Sequence, residues 1–291
     1  MKPHFTFFKN IFIVHKWRLL LTYCLFTLEM LGLLTRPYFF AKAADGLIYG
    51  YNKGLILLAL VHFGYIIVGY LRHRFDTRTY STIYTSIITN HIHKKFNNKT
   101  VSQLSAHSTL VRELIDFLEY DLIYVVEALF NLIGSLFFLF YFDKKVALIC
   151  ITILLPVFAV SYFYGKKVSV LTKEKNDELE NQVDAIETKK IGIITQHYKR
   201  LRFWQIKISD REAFNFGVME FFVLVVMIAS LYVTSWFTHT EEIAASTLIG
   251  IYLYVQKFTT GLDTIPYTVQ RLSNLKDISA RMNIENDEYE Q

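Results

Sequence analysis

Residues 122–164, LIYVVEALFNLIGSLFFLFYFDKKVALICITILLPVFAVSYFY, hold two apolar runs separated only by Asp143-Lys144-Lys145. The hydrocarbon core of a bilayer is about 30 Å thick and takes about 20 mostly apolar residues of helix to cross. Leu122–Phe142 and Val146–Tyr164 both meet that requirement, and the charged joint between them is long enough for a tight turn and little more. In hydrocarbon every backbone N–H and C=O must be bonded within the protein, so such runs become helices. The stretch predicts a membrane-spanning helical hairpin.

Outward from this hairpin the same pattern recurs. Leu19–Phe40, which carries Glu29 and Arg36, and Gly54–Leu71 precede it; Val218–Phe237 follows. A weaker sixth run begins near Ile243, is clean only to Phe258, and runs into Lys257 and Asp263. The predicted fold class is an all-α membrane protein with six transmembrane helices. Over 291 residues, 53% are apolar and only 20% charged, against roughly 45–50% and 25% in ordinary globular chains. Sixteen per cent aromatics, with 12 Gly and 4 Pro, exclude a disordered chain, a collagen or a nucleic-acid tail. Cys24 and Cys150 both lie in apolar runs and read as packing residues; two cysteines provide neither a disulfide framework nor a metal site. The first apolar run is long, ends at Arg36-Pro37 and lacks a small-residue cleavage pattern, so it reads as a span and not as a signal peptide.

Lysine and arginine set the orientation. Of the 31 basic residues, 26 fall in the segment to Arg18, in the loops 72–121 and 165–217, and from the sixth span onward; only Lys42, Lys53, Lys144 and Lys145 fall on the other side. Both termini and both long loops are therefore expected in the cytoplasm, of a bacterial inner membrane. The loops carry helical stripes: Tyr80, Ile83, Tyr84, Ile87 and Ile88, then Leu110, Leu114 and Phe117 in the first, and Val168, Leu171, Leu179, Val183 and Ile186 in the second. Spans 2 to 5 are thus expected to continue as long helices, turning round near Asn97–His107 and near Gln196–Phe203. At 1.5 Å per residue such stalks project roughly 35–40 Å beyond the bilayer. Residues 1–18 are expected to form an interfacial elbow helix, with Phe5, Phe7, Phe8, Ile11 and Ile13 set against Lys2, Lys9 and Lys16. Residues 19–291 form the transmembrane domain.

The order of these features resembles the six-helix transmembrane half of type I ABC exporters over roughly residues 3–284. The residues that carry the resemblance are His15-Lys16-Trp17-Arg18-Leu19-Leu20-Leu21 after the elbow, Arg36-Pro37-Tyr38 leading to Ala44-Asp45-Gly46-Leu47-Ile48, Phe142-Asp143-Lys144-Lys145-Val146-Ala147-Leu148, and Gly192-Ile193-Ile194 before the second cytoplasmic turn. Gly261-Leu262-Asp263-Thr264-Ile265-Pro266, Val269-Gln270-Arg271-Leu272 and Ile278-Ser279-Ala280-Arg281-Met282 match the last helix and its exit. The resemblance implies a homodimer, with helices exchanged between protomers around a central cavity. No G-x-x-x-x-G-K-[ST] loop occurs, Gly165-Lys166-Lys167-Val168 lacking both the earlier glycine and the hydroxyl, so no nucleotide-binding domain is expected in this chain. At the first turn the family's aromatic-Phe-Asp and Thr-Gly elements are replaced by Ser102-Gln103-Leu104-Ser105 and Ser108-Thr109-Leu110.

Candidate functional residues follow from cost. A charge at the bilayer centre costs about 2.5–3.5 kcal/mol on insertion scales, so such residues usually face a cavity or a partner. Glu29, Glu127, Asn131 and Arg36 are the candidates for a substrate or proton pathway. The competing roles are a buried structural pair, a packing hydrogen bond between Glu127 and Asn131, and an Arg36 that snorkels to the outer interface. Ser102 and Leu104 at the first stalk tip, and His197, Tyr198, Lys199 and Arg200 under the second coupling helix implied by the resemblance, are the candidate partner contacts; a plain positive-inside cluster explains the last four equally well. His91 and His93, two apart, share no helix face and do not suggest a metal site. No hydrolase motif is present, and neither enzyme activity nor a cofactor is expected. Three functions remain open: a transport component energised by a separately encoded ABC ATPase, a proton-driven transporter without one, and a non-transporting membrane scaffold or regulator. The expected partners are a second copy of the chain, that ATPase, the lipid bilayer and a small-molecule or peptide substrate, and not nucleic acid.

Overall fold

The computed structural model describes residues 12–95, 108, 111–112, 115–238 and 244–287. Among these the chain is helical throughout, with no strand. α1 (Lys16–Ile48) and α2 (Lys53–Lys95) form an antiparallel pair closed by Gly50, which takes φ +79, and by the Tyr51 N–H donating to Gly46 O at 2.6 Å. α3 runs over Phe117–Phe142 and contains two π-helical turns, Phe117–Asp121 and Phe130–Gly134. α4 (Lys144–Glu180) follows after one extended residue: Asp143 accepts from the backbone N–H groups of Lys145 at 2.7 Å and Val146 at 3.4 Å. The charged joint of the founding hairpin is thus an N-cap, which satisfies two of the orphan donors of a helix start. A six-residue helix, α5 (Gln182–Glu187), then leads to α6 (Ile191–Thr238), and α7 (Ala245–Asp287) completes the fold.

The expected continuity of the helices holds for α2, α4 and α6, at 43, 37 and 48 residues. At 1.5 Å per residue these rods are about 65, 55 and 72 Å long, well over the 30 Å of hydrocarbon. The second turn-round is not where the sequence suggested. It lies at Thr188–Lys190, and Gln196–Phe203 is uninterrupted helix inside α6; Gly192-Ile193-Ile194 follows the turn and does not precede it. Lys189 takes the left-handed φ of 53, while the Thr188 hydroxyl donates to Ala185 O at 2.7 Å and accepts from the Lys190 N–H at 3.3 Å. The first turn-round, with Ser102 and Leu104, lies outside the described residues, as does most of the elbow helix. Phe12–Val14 of that helix are helical and exposed, ahead of a turn at His15.

Five helices among the described residues are long and apolar enough to cross a membrane: α1, α2, α3, α4 and α6. α7, the expected sixth span, forms as one long helix but is not among them. Its apolar residues are gathered on one stripe. α7 packs against α1, α3, α4 and α6, and its stripe Ile251, Tyr254, Val255, Phe258, Leu262 and Ile265 is buried in the main core with Leu139, Val146, Cys150, Val157, Met219 and Val226. An apolar stripe flanked by polar residues is the pattern of a helix that packs on protein by one face. α2 shows the opposite arrangement: Leu60, Phe63 and Tyr70 are 63%, 62% and 62% exposed. A second core, built from Leu19, Tyr80, Ile83, Val111, Ile115, Phe117 and Leu118, joins α1 and α2 to α3 and the residues just before it. Cys150 is buried as expected, but Cys24 is exposed on α1 and is not a packing residue.

Candidate functional site: charges inside the helix bundle

Glu29 lies 19 residues before the end of α1 and Arg72 lies 19 residues after the start of α2. In an antiparallel pair this places them at one level, about 28 Å from the hairpin turn. There they meet: Arg72 Nε donates to Glu29 Oε2. Arg72 Nη1 donates to Asp76 Oδ2 at 2.9 Å, its Nη2 lies 3.1 Å from His73 Nε2, and its guanidinium sits 5.4 Å from the centre of the Phe26 ring. Glu29, Arg72 and Asp76 are all buried. Gly69 makes the approach feasible, since a Cβ there would lie 3.1 Å from Glu29 Oε1.

The other half of the cluster comes from α3 and α7. Lys257 of α7 donates to Asn131 Oδ1 at 3.4 Å, and Asn131 is buried in the second π turn of α3. Glu127, half-buried one turn earlier, is within electrostatic reach of Lys257 and, more weakly, of Glu29 and Arg72. Arg36 of α1 is exposed and acts electrostatically on Lys257. Three carboxylates (Glu29, Asp76, Glu127) thus face three cations (Arg36, Arg72, Lys257) across four helices. A balanced set can be held in an apolar bundle where a single charge would be costly.

Between these charges and the α1–α2 turn, the Tyr254 hydroxyl donates to Leu34 O at 3.0 Å, and its ring stacks on Phe138 with centroids 4.6 Å apart. Pro37 lies in α1 at this level and removes one backbone donor from that helix. Near the α1–α2 turn the Ser246 N–H donates to Asp45 Oδ1 at 3.0 Å, so the Ala44-Asp45-Gly46 stretch caps α7. Two grooves flank the bundle. One of about 860 Å³ is apolar and lies between α3, α4 and α7, with Ala128, Leu132, Phe158 and Val269 in its wall. The other, of about 520 Å³, contains Glu212, Glu220, Asp263 and Arg271.

All four pathway candidates lie in or beside the cluster, and the bond considered between Glu127 and Asn131 is not the one formed. Asn131 is bonded to Lys257 and not to Glu127, and Glu29 is committed to Arg72. Arg72, Asp76 and Lys257 were missed. Arg72 sits just past the apolar run of span 2 and reads as a positive-inside residue; equal counting from the hairpin turn is the signal that pairs it with Glu29. His197 is fully buried within the stalk, its Nδ1 2.7 Å from Glu178 Oε1, and Arg200 donates to the same oxygen at 2.9 Å. Tyr198 and Lys199 are exposed on the side of α6. None of these four is at the stalk tip, which is formed by α5 and the turn after it.

The chain belongs to the family described as the ABC transporter transmembrane region, whose profile matches residues 8–245. No curated protein matches it in sequence. Among solved structures it is similar to a bacterial Atm1-family ABC exporter with ATP bound, at TM-score 0.73 and 13% identity, over 94% of this chain and 54% of that one. At that identity the likeness is one of fold. The chain spans about half the length of the exporter it matches. It is a multi-pass membrane protein with an ABC exporter-like transmembrane fold.

Proposed function

We propose that this protein is a transport component of ABC exporter type, moving its substrate through a cavity between two copies, energised by ATP hydrolysis on a separate ABC ATPase. Residues 19–291 are its transmembrane domain, and both termini face the cytoplasm of the cell membrane. The single observation that carries this is the exporter-like helix arrangement over 94% of the chain. The stalk tip adds support for the ATPase: Val183 and Ile186 of α5 are 56% and 46% exposed, and Ile191 just beyond the turn is 80% exposed. Apolar side chains gathered at a solvated tip mark a protein contact. The proton-driven alternative is weakened by geometry, because Glu29 is held by Arg72 and would have to be released before it could carry a proton.

The test is to express the chain with candidate ABC ATPases, reconstitute the complex, and measure ATP hydrolysis and substrate flux together. Val183→Asp and Ile186→Asp, both on an exposed surface, should leave thermal stability unchanged and reduce ATPase association at least tenfold. If tip variants keep full ATP-dependent flux, α5 is not the contact. If flux follows a proton gradient and ignores ATP, the energy source is wrong. A phenotype that survives with no flux of any kind leaves the scaffold role.

A further inference from the structure

Where α4 and α6 leave the apolar part of the bundle, they enclose a groove of about 810 Å³ lined by Phe163, Lys166, Lys167, Val170, Leu171, Lys207, Asp210 and Arg211. The register that builds it is set deeper in the stalk, where Lys175 donates to Gln205 Oε1 at 2.7 Å and His197 meets Glu178 at 2.7 Å. Continued up the antiparallel pair, this brings Lys166 and Lys167 level with Asp210 and Arg211, and Leu171 level with Lys207. Four cations and one carboxylate therefore converge on one concavity, from both helices that wall it. Lys173, Lys175, Lys189 and Lys190, on the same stalk, are not part of it.

The height of the groove is as informative as its charge. Lys166 comes two residues after Tyr164, the end of the fourth apolar run, and Arg211 comes seven before Val218, the start of the fifth. That is headgroup level. The apolar side chains in the wall are open to the surroundings, Phe163 at 64% and Val170 at 58% exposure. Lys207 is steered by aromatic rings, its Nζ 4.3 Å from the Phe203 centroid and 5.3 Å from that of Trp204. A soluble anion would need the charges but not the greasy wall; a phospholipid needs both. Basic pockets between membrane helices at this depth bind acidic headgroups, at about 1 kcal/mol or roughly fivefold in affinity for each Lys or Arg.

We propose that this groove binds the phosphodiester headgroup of an anionic phospholipid. Arg211 presents the planar fork suited to phosphate, Lys166, Lys167 and Lys207 supply point charges, and Phe163, on the membrane side of these charges, flanks the first carbons of an acyl chain. Asp210 opposes binding. The site needs only the α4–α6 pair.

Native mass spectrometry of the full-length chain in detergent tests it, with phosphatidylglycerol, phosphatidylcholine and inorganic phosphate as probes. Phosphatidylglycerol should be retained at least tenfold better than phosphatidylcholine. The combined change Lys166→Gln, Lys167→Gln, Arg211→Gln should weaken it by roughly a hundredfold, whereas Lys144→Gln with Lys145→Gln, at the other end of α4, should not. Asp210→Asn should tighten binding by roughly fivefold, a gain that no loss of folding can imitate. Equal retention of the two lipids, an unaffected triple variant, or an Asp210→Asn variant with no gain would overturn the proposal. Displacement of the lipid by millimolar inorganic phosphate would assign the groove to a small anion instead.

Discussion

Glu29 and Arg72 show how a charged side chain is accommodated where water is scarce. Each alone would be costly where it is buried among the helices, yet together with Asp76 they form a short chain of charge-assisted bonds between adjacent helices. Removing one partner from such a pair leaves the other charged and alone, at about 3–5 kcal/mol, whereas replacing both by apolar residues of similar size is often neutral. Glu29→Gln should therefore lower the thermal midpoint of the detergent-solubilised protein by several degrees, and the combined change Glu29→Leu, Arg72→Met, Asp76→Leu, which removes all three charges, should restore most of it. A single substitution that leaves the midpoint unmoved would mean that the two residues do not meet in the membrane. Glu29 was legible as unusual from its position among apolar neighbours. Its partner was not, because an arginine at the end of a span is ordinary and only the pairing of α1 with α2 makes it special.

At the scale of the helix, close packing depends on what a glycine lacks. A Cβ at Gly261 of α7 would lie 2.8 Å from Leu132 Cγ and 3.1 Å from the Leu132 backbone nitrogen in the π turn of α3, so the two helices touch at the backbone. Small residues at such crossings are how membrane helices gain van der Waals contact. Gly64 of α2 has open space around its missing side chain. Gly261→Val should destabilise by about 1–3 kcal/mol through overpacking, while Gly64→Ala should be neutral or add up to about 1 kcal/mol through helix propensity. Equal effects at the two sites, read by thermal unfolding in one detergent, would count against this packing of α7 on α3. The helices themselves were legible from apolar runs and continuing stripes. The stalk turn was displaced by about ten residues, because Thr188-Lys189-Lys190 contains neither Gly nor Pro; Lys189 supplies the left-handed backbone and Thr188 the local hydrogen bonds.

For the molecule as a whole, the decisive quantities are which surfaces are greasy and where the basic residues gather. The exposed apolar face of α2 makes sense in lipid or against another chain, and the Lys and Arg bias predicts that the stalks are cytoplasmic. In a Cys24→Ser background, Lys189→Cys should react with a membrane-impermeant thiol reagent only in inverted vesicles, and Lys144→Cys only in right-side-out ones. The reverse pattern would invert the topology.

The sequence by itself determined that this chain enters a membrane as long helices and which ends of them gather positive charge, because both follow from the solvation of one segment at a time. It also contained the order of elements that the exporter-like fold shares. Which charges meet, why α7 is the least apolar and yet supplies much of the core, and where the stalk turns were decided only by the tertiary structure. Those depend on what each helix touches. An ion pair between residues 43 apart, a lysine facing a π turn and a glycine against a leucine are properties of two surfaces in register, and neither surface alone carries them.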